Sequence, residues 1–316
     1  MSTFIVFPDD TSNYMPINDM IKPAEVFSKL GCFILTEKNF FTKEVLDSVK
    51  PDDNVMLYFK IKDDAFVEVF KNLECNKFLR NGDPCKSDGI LFKNDLELHE
   101  KVNFDCIFIS VPSKTNMKFL KDKNINALPF TQCLDFSNQR SPETVFDIKN
   151  QEAVITGQLH SEFYPVRQRI AEYWFKNTKK FSSSILSHPG FELDSLSHNL
   201  IGDNYVDFLS HFWVMGVGTG HANGLHCKFL ECAKSYTLPL GNVPTYMHPR
   251  AQELVLQVGI DESDEEMDRQ ITELLSDKNA LKNRILEYSS IIKQEYNLQH
   301  VVGNVFRAMQ EKQYLK

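Results

Sequence analysis

Little in this chain points to metal or disulfide chemistry. Its seven cysteines (Cys32, Cys75, Cys85, Cys106, Cys133, Cys227, Cys232) are odd in number and form no CxxC pair. That excludes a zinc ribbon, argues against a disulfide framework and fits a reducing compartment. The nine histidines show neither HxH nor HExxH spacing, so no metal site is expected. No apolar run reaches the length of a membrane span, and the first residues lack a basic segment followed by an apolar one. The expectation is a cytoplasmic protein. Lys and Arg number 35 against 43 Asp and Glu, a net charge of -8. Clustered cations are what a phosphate backbone requires, so nucleic acid is not expected as the main partner, though a locally basic groove stays open. Gly216, Gly218 and Gly220 fail to complete a dinucleotide fingerprint, because no third glycine falls at the right offset.

What is present is ordinary soluble-domain material, 42% hydrophobic and 25% charged over 316 residues, enough for two domains of middling size. The 25 phenylalanines supply core. Short apolar runs recur with helical stretches between them: strands are expected at 4–7, 32–35, 54–59, 89–92, 105–111 and 125–130, with helices at 21–30, 41–49, 63–73 and 115–121. Between 134 and 151 the chain turns polar and reads as a linker. The rhythm then resumes with strands at 153–156, 181–186, 212–217, 237–240 and 253–258, and helices from Pro165 and over 204–210. The acidic octet 261–268 reads as the first turn of a helix. Three amphipathic helices follow between 267 and 309. Strands alternating with helices predict parallel sheets covered on both faces.

One stretch, 224–241, combines a glycine-bearing loop, a short amphipathic run with Lys228 and Glu231, and an apolar strand. A loop opening a helix offers unpaired N–H groups to an anion. Lys228 would add a point charge for phosphate, and Glu231, three residues on, would share its face as an acceptor for sugar hydroxyls. The same spacing also describes a surface ion pair. His221 and His226 flank this run and could hydrogen-bond phosphate; His160 lies in the glycine loop after Gly157. Asp9 and Asp10 follow the first strand, at the end of an open sheet where ligands bind, and are equally plain turn residues. Arg167 and Arg169 can be an exposed helix face, and Tyr173 and Trp174 read as core.

The second half resembles the nucleotide-sugar domain of GT-B glycosyltransferases, in order from about 129 to 309. LPFTQCLDF is similar to their interdomain stretch, and AVITGQLHSEFYPVRQRI to their first strand, glycine loop and Arg-bearing helix. SHPGF and GDNYVDFLS lie where the family approaches the base. NGLHCKFLECAKSYTLPLG resembles the helix and strand carrying the donor-binding glutamate, and VGIDESDEEMDRQITELLSDKNALKNRI the closing tail. The resemblance implies an α/β fold of two Rossmann-like domains with parallel sheets facing across a cleft: an acceptor domain at 1–134, a linker at 135–150, and a donor domain with C-terminal helices at 151–316. It implies transfer of a sugar from a nucleotide diphosphate sugar to an acceptor glycan or other hydroxyl compound, with no metal and no cofactor beyond the donor itself. Glu231 would hold donor hydroxyls, Lys228 would lie near the diphosphate, and Arg167 or Arg169 would be the second cation. Gly157 would allow close approach, Tyr205 and Val206 would approach the base, and Asn223 and His226 would complete the donor site. Asp9, Asp10 and His160 are the candidates for catalysis. Two positions depart from retaining members: Asn223 stands where an acid is usual, and Gln158 where an arginine is. An epimerase or hydrolase on the same fold, or a non-catalytic binding protein, are the rival readings.

Overall fold

The computed structural model describes residues 1–9, 21–58, 63–81, 92–159, 162–180, 182–186, 202–220 and 223–313. They form two compact units, the first Met1–Cys133 with Leu298–Lys316, the second Leu134–Asn297.

Unit 1 begins β1 (Thr3–Phe7), α1 (Lys22–Lys29), β2 (Phe33–Thr36), α2 (Glu37–Phe40), α3 (Lys43–Ser48) and β3 (Asn54–Tyr58). It continues α4 (Asp64–Asn72), β4 (Asn76–Arg80), α5 (Lys93–Val102), β5 (Cys106–Ile109), α6 (Lys114–Asp122) and β6 (Ala127–Pro129). The strands make one parallel sheet in the order β2-β1-β3-β4-β5-β6. Every residue of β1 is buried, because successive side chains enter opposite cores. Ile5 and Phe7 join Met56, Tyr58 and Val26 and Phe27 of α1. Phe4 and Val6 join Val55, Leu57, Val67 and Phe70 on the other face.

Unit 2 runs α7 (Pro142–Ile148), β7 (Gln151–Thr156), α8 (Pro165–Lys176), β8 (Ser183–Leu186), α9 (Asp203–Leu209) and β9 (Phe212–Val217). Then come α10 (Cys227–Lys234), β10 (Leu238–Gly241), α11 (Pro249–Leu254), β11 (Leu256–Gln257), α12 (Asp264–Ser276) and α13 (Lys278–Glu295). Its parallel sheet has the order β11-β10-β9-β7-β8. Tyr173 and Trp174 are fully buried, as core. Tyr288 of α13 donates to the Phe229 carbonyl of α10 at 3.0 Å, which locks the helix bearing Lys228 to the unit's longest helix. The two ends of unit 2 are pinned together where the Leu134 N–H donates to the Tyr296 carbonyl at 3.3 Å. A last helix, α14 (Leu298–Gln310), lays Leu298, Val301, Val302, Val305 and Met309 into the unit 1 core beside α1.

Several expectations need correction. The polar stretch 135–150 is part of unit 2: Ser141 caps α7 with Pro142 at its first turn, and Phe136 and Val145 are buried in that unit's core. The tail beyond 297 belongs to unit 1 through the apolar stripe of α14. The strand expected at 89–92 falls mostly outside the described residues; Phe92 stands just before α5 as its N-cap, and the fourth strand is β4. The strand expected at 253–258 is the end of α11, opened by Pro249, followed by a two-residue strand. The acidic octet does open a helix: the Ser263 side chain accepts from the Glu266 N–H at 3.1 Å, with Asp264, Glu265 and Glu266 in the first turn. Among the described residues no helix is long and apolar enough to cross a membrane, and Cys32, Cys75, Cys106 and Cys232 are free thiols.

Two features of unit 2 are open to direct test. Gly241 has φ +153°, and a Cβ there would stand 2.1 Å from the Val217 carbonyl oxygen. Gly241→Ala should therefore cost about 3 kcal/mol or more, seen as a lowered urea midpoint; an unchanged midpoint contradicts the packing. Arg169 joins α8 to α12, donating to the Glu262 carbonyl at 2.7 Å and to the Asp264 carboxylate at 2.6 Å. Hydrogen bonds from Arg169 and then Lys176 hold the Asp264 carboxyl below its usual range. A depressed folded-state pKa stabilises above the unfolded value of about 4 and ceases to do so as pH falls through the folded one. Arg169→Ala should thus be less stable than wild type at pH 7, with the gap narrowing below about pH 4. A gap independent of pH contradicts the pairing.

Candidate functional site

In unit 2 the chain leaves β7 for β8 on one side and then returns to place β9 on the other. The crevice outside the carboxyl ends of β7 and β9 is therefore the switch point, where open parallel sheets bind ligands. Gly157 follows β7, Gly218 follows β9, and α10 begins after the β9 loop.

Gly157 has φ +94°, and a Cβ there would meet Lys228 Cε at 2.9 Å, an Arg167 terminal nitrogen at 3.1 Å and Lys228 Nζ at 3.5 Å. Glycine suits the backbone conformation, and a side chain there would have to displace Lys228. Two cations from different helices thus lie against one point of backbone. Arg167 is 3% exposed. Its guanidinium donates to the carbonyls of Gln158 at 3.3 Å and Gly218 at 3.4 Å, and it stacks 4.1 Å from the Tyr164 ring. Among the described residues its Nε has no hydrogen-bond partner, a deficit that costs about 1–3 kcal/mol or more for a charged donor. Burial lowers its pKa, opposed by Tyr164, Tyr205, Cys227 and Glu231, but a guanidinium stays charged at neutral pH.

Lys228 Nζ donates to Thr156 Oγ1 at 3.1 Å and to Tyr205 Oη at 3.2 Å. Glu231 Oε2 lies 3.9 Å away on the same face of α10. Burial and Arg167 work against the ammonium, but Tyr205, Glu231 and Cys227 hold its pKa above the ordinary lysine value. Tyr205 and Thr156 hydroxyls are also hydrogen-bonded to each other. Burial pushes the Tyr205 phenol up to about 12, with Lys228 pulling the other way.

The structure therefore brings together Gly157, Arg167, Tyr205, Lys228 and Glu231. The other described candidates have different partners. Arg169 is turned to Glu262 and Asp264. Val206 is half-buried and lines a small cavity with Arg140, Asp203, Asp207 and Lys234. Asn223, in the left-handed region at φ +48°, braces the loop: its Oδ1 accepts from Thr219 Oγ1 at 3.0 Å and its carbonyl from the Thr245 N–H at 3.1 Å. His226 caps α10 without a side-chain bond to it and is hydrogen-bonded to the Thr219 carbonyl. Asp9 is exposed in unit 1, accepting from the Lys38 N–H at 3.3 Å. Asp10, His160 and His221 lie outside the described residues.

Three partners of the site were not foreseen. Thr156, the last residue of β7, supplies a hydroxyl to Lys228. Asn242 accepts from the Thr219 N–H at 3.0 Å and so holds the loop next to the Gly218 carbonyl. That carbonyl in turn receives Arg167. The one signal available was position, since Thr156 ends a strand and Gly218 and Asn242 each follow directly on one, at the carboxyl ends that open on the crevice.

No family model and no curated protein matches the chain in sequence. Solved structures do match it in shape. An α,α-trehalose-phosphate synthase (UDP-forming) from Burkholderia vietnamiensis aligns with a TM-score of 0.66 at 9% identity, over 98% of this chain and 100% of that one. HepE of Anabaena, in complex with UDP-glucose, aligns with a TM-score of 0.59 at 10% identity, over 98% and 99%. An α-glucosyltransferase in complex with UDP and a 13-mer DNA aligns with a TM-score of 0.61 at 10% identity, over 98% and 100%. With two parallel α/β units of six and five strands and neighbours of this kind along nearly its whole length, the chain has the GT-B fold.

Proposed function

We propose that this protein transfers a sugar from a nucleotide diphosphate sugar, held by unit 2, to the hydroxyl of an acceptor. The observation that carries this reading is the meeting of Arg167 and Lys228 over Gly157 at the switch point. Both positive groups lie within 3.5 Å of one point, so they are at most about 7 Å apart, and at an effective dielectric of 20 they repel by at least about 2 kcal/mol. Glu231 offsets one of the two charges and leaves a net positive crevice. A diphosphate supplies the missing negative charge, and its charge rises as it leaves the sugar, so the same groups stabilise the transition state more than the ground state. The first turn of α10, which carries Lys228, offers N–H groups that its N-cap side chain does not satisfy.

Glu231, acceptor-only when ionised, suits hydroxyls of the donor ribose or sugar. With the diphosphate charge met by side chains, the proposed reaction needs no divalent metal. The named ligands of the structural neighbours, UDP and UDP-glucose, make uridine the first base to try. Asp9, at the carboxyl end of β1 and beside the switch point of unit 1, is assigned the acceptor proton; Asp10 and His160 remain candidates for the same role.

A thermal-shift screen against nucleotides and nucleotide sugars in EDTA tests the donor. Ligand at a hundredfold its Kd should stabilise by about 2.7 kcal/mol. Lys228→Met should weaken binding about tenfold or more, the loss of one charge-assisted contact, and Arg169→Ala should leave it unchanged. No response to any nucleotide, or an Arg169 effect as large as that of Lys228, would count against the site. Once an acceptor supports turnover, Asp9→Asn should lower kcat by about a hundredfold or more while donor affinity holds; unchanged kcat removes Asp9 from the mechanism.

A further inference from the structure

The Lys228 ammonium sits in a fork of two hydroxyls, one from Thr156 at the end of β7 and one from Tyr205 on α9. The fork is closed by the hydrogen bond between those hydroxyls, and the Tyr205 ring centroid lies 5.2 Å from Nζ. Lysine is a flexible point charge whose position is set by what holds it. The competing holder is Glu231, 3.9 Å away on the same helix. A lysine released from the fork would collapse onto that carboxylate and lose its free charge. Arg167 depends on neither hydroxyl, because the Gln158 and Gly218 carbonyls fix it separately.

We propose that Tyr205 is a positioning residue that holds Lys228 over Gly157, and that this placement makes the site select a nucleoside diphosphate over a monophosphate. The inference rests on the donor reading above. One phosphate can be satisfied by Arg167 alone. Two phosphates engage both cations, so the preference for the second depends on Lys228 being where Tyr205 puts it. Tyr205 acts through Lys228 and need not touch the base.

Calorimetric titration of the full chain with UDP and with UMP, in EDTA, tests this. Wild type should bind UDP about tenfold or more tighter than UMP. Tyr205→Phe, which keeps the ring, should cut that preference at least about threefold with UMP affinity unchanged. In Lys228→Met the same tyrosine substitution should have no further effect, the non-additivity expected of a residue acting through its neighbour. Thr156→Val, removing the other arm of the fork, should reproduce the loss and serves as the second measurement if the tyrosine variant does not fold. Equal weakening of UDP and UMP, an unchanged preference, or additive losses in the double variant would each overturn the proposal. Equal affinity of wild type for UDP and UMP would overturn it while leaving the donor reading intact. Binding of neither would remove both.

Discussion

Arg167 and Lys228 approach the same point beside Gly157, the place a Cβ would take, and the backbone there has the positive φ that favours glycine. Their mutual repulsion is only partly relieved by Glu231 on the same turn as Lys228. A folded protein keeps such an arrangement when surrounding structure over-determines it. Here the surroundings are a carbonyl from each of two loops for Arg167 and a two-hydroxyl fork for Lys228. The helix under Lys228 is itself fixed from below by Tyr288. These are the marks of a preorganised anion site, in which the cost of assembling like charges is met in folding, before any ligand arrives.

The same winding is used twice in this chain. In each unit the first strand is flanked by the second on one side and the third on the other, which opens a crevice at the carboxyl ends. In unit 2 that crevice holds the paired cations. In unit 1 the exposed Asp9 follows the corresponding strand. At 9–10% identity the structural neighbours establish the shared fold, and function has to be argued from the groups set into it. The last helix completes unit 1 from the far end of the chain, so the first unit's core cannot be finished until the second has been passed through.

Much of the fold was legible because buried parallel strands are continuous apolar runs. FIVF and AVIT announce themselves as β1 and β7. NKFLR does not, and β4 was missed; its core residues are confined to the last three positions, and the polar first two mask the run. The helix α7 carried readable signals, Ser141 followed by Pro142, but its few apolar residues left it in a stretch that looked like linker. The stripe on α14 said that a core lay beneath it without saying which one. At the site, Lys228 and Glu231 were legible from their spacing alone. Arg167 and Arg169 were not separable, since two residues on a helix are about 200° apart and one must face away. Periodicity could not tell which; the structure turns Arg167 inward and gives Arg169 to α12. The resemblance places Tyr205 near the base, and its hydroxyl also meets Lys228, a contact across 23 residues of sequence that no local pattern encodes.

The most direct measurement of the central claim is a crystal structure of the protein with a nucleoside diphosphate, UDP being the first to use. Phosphate oxygens within hydrogen-bonding distance of both Lys228 Nζ and the Arg167 guanidinium, above Gly157, are the result expected. A diphosphate bound elsewhere, with those two side chains still facing only their present protein partners, would contradict it.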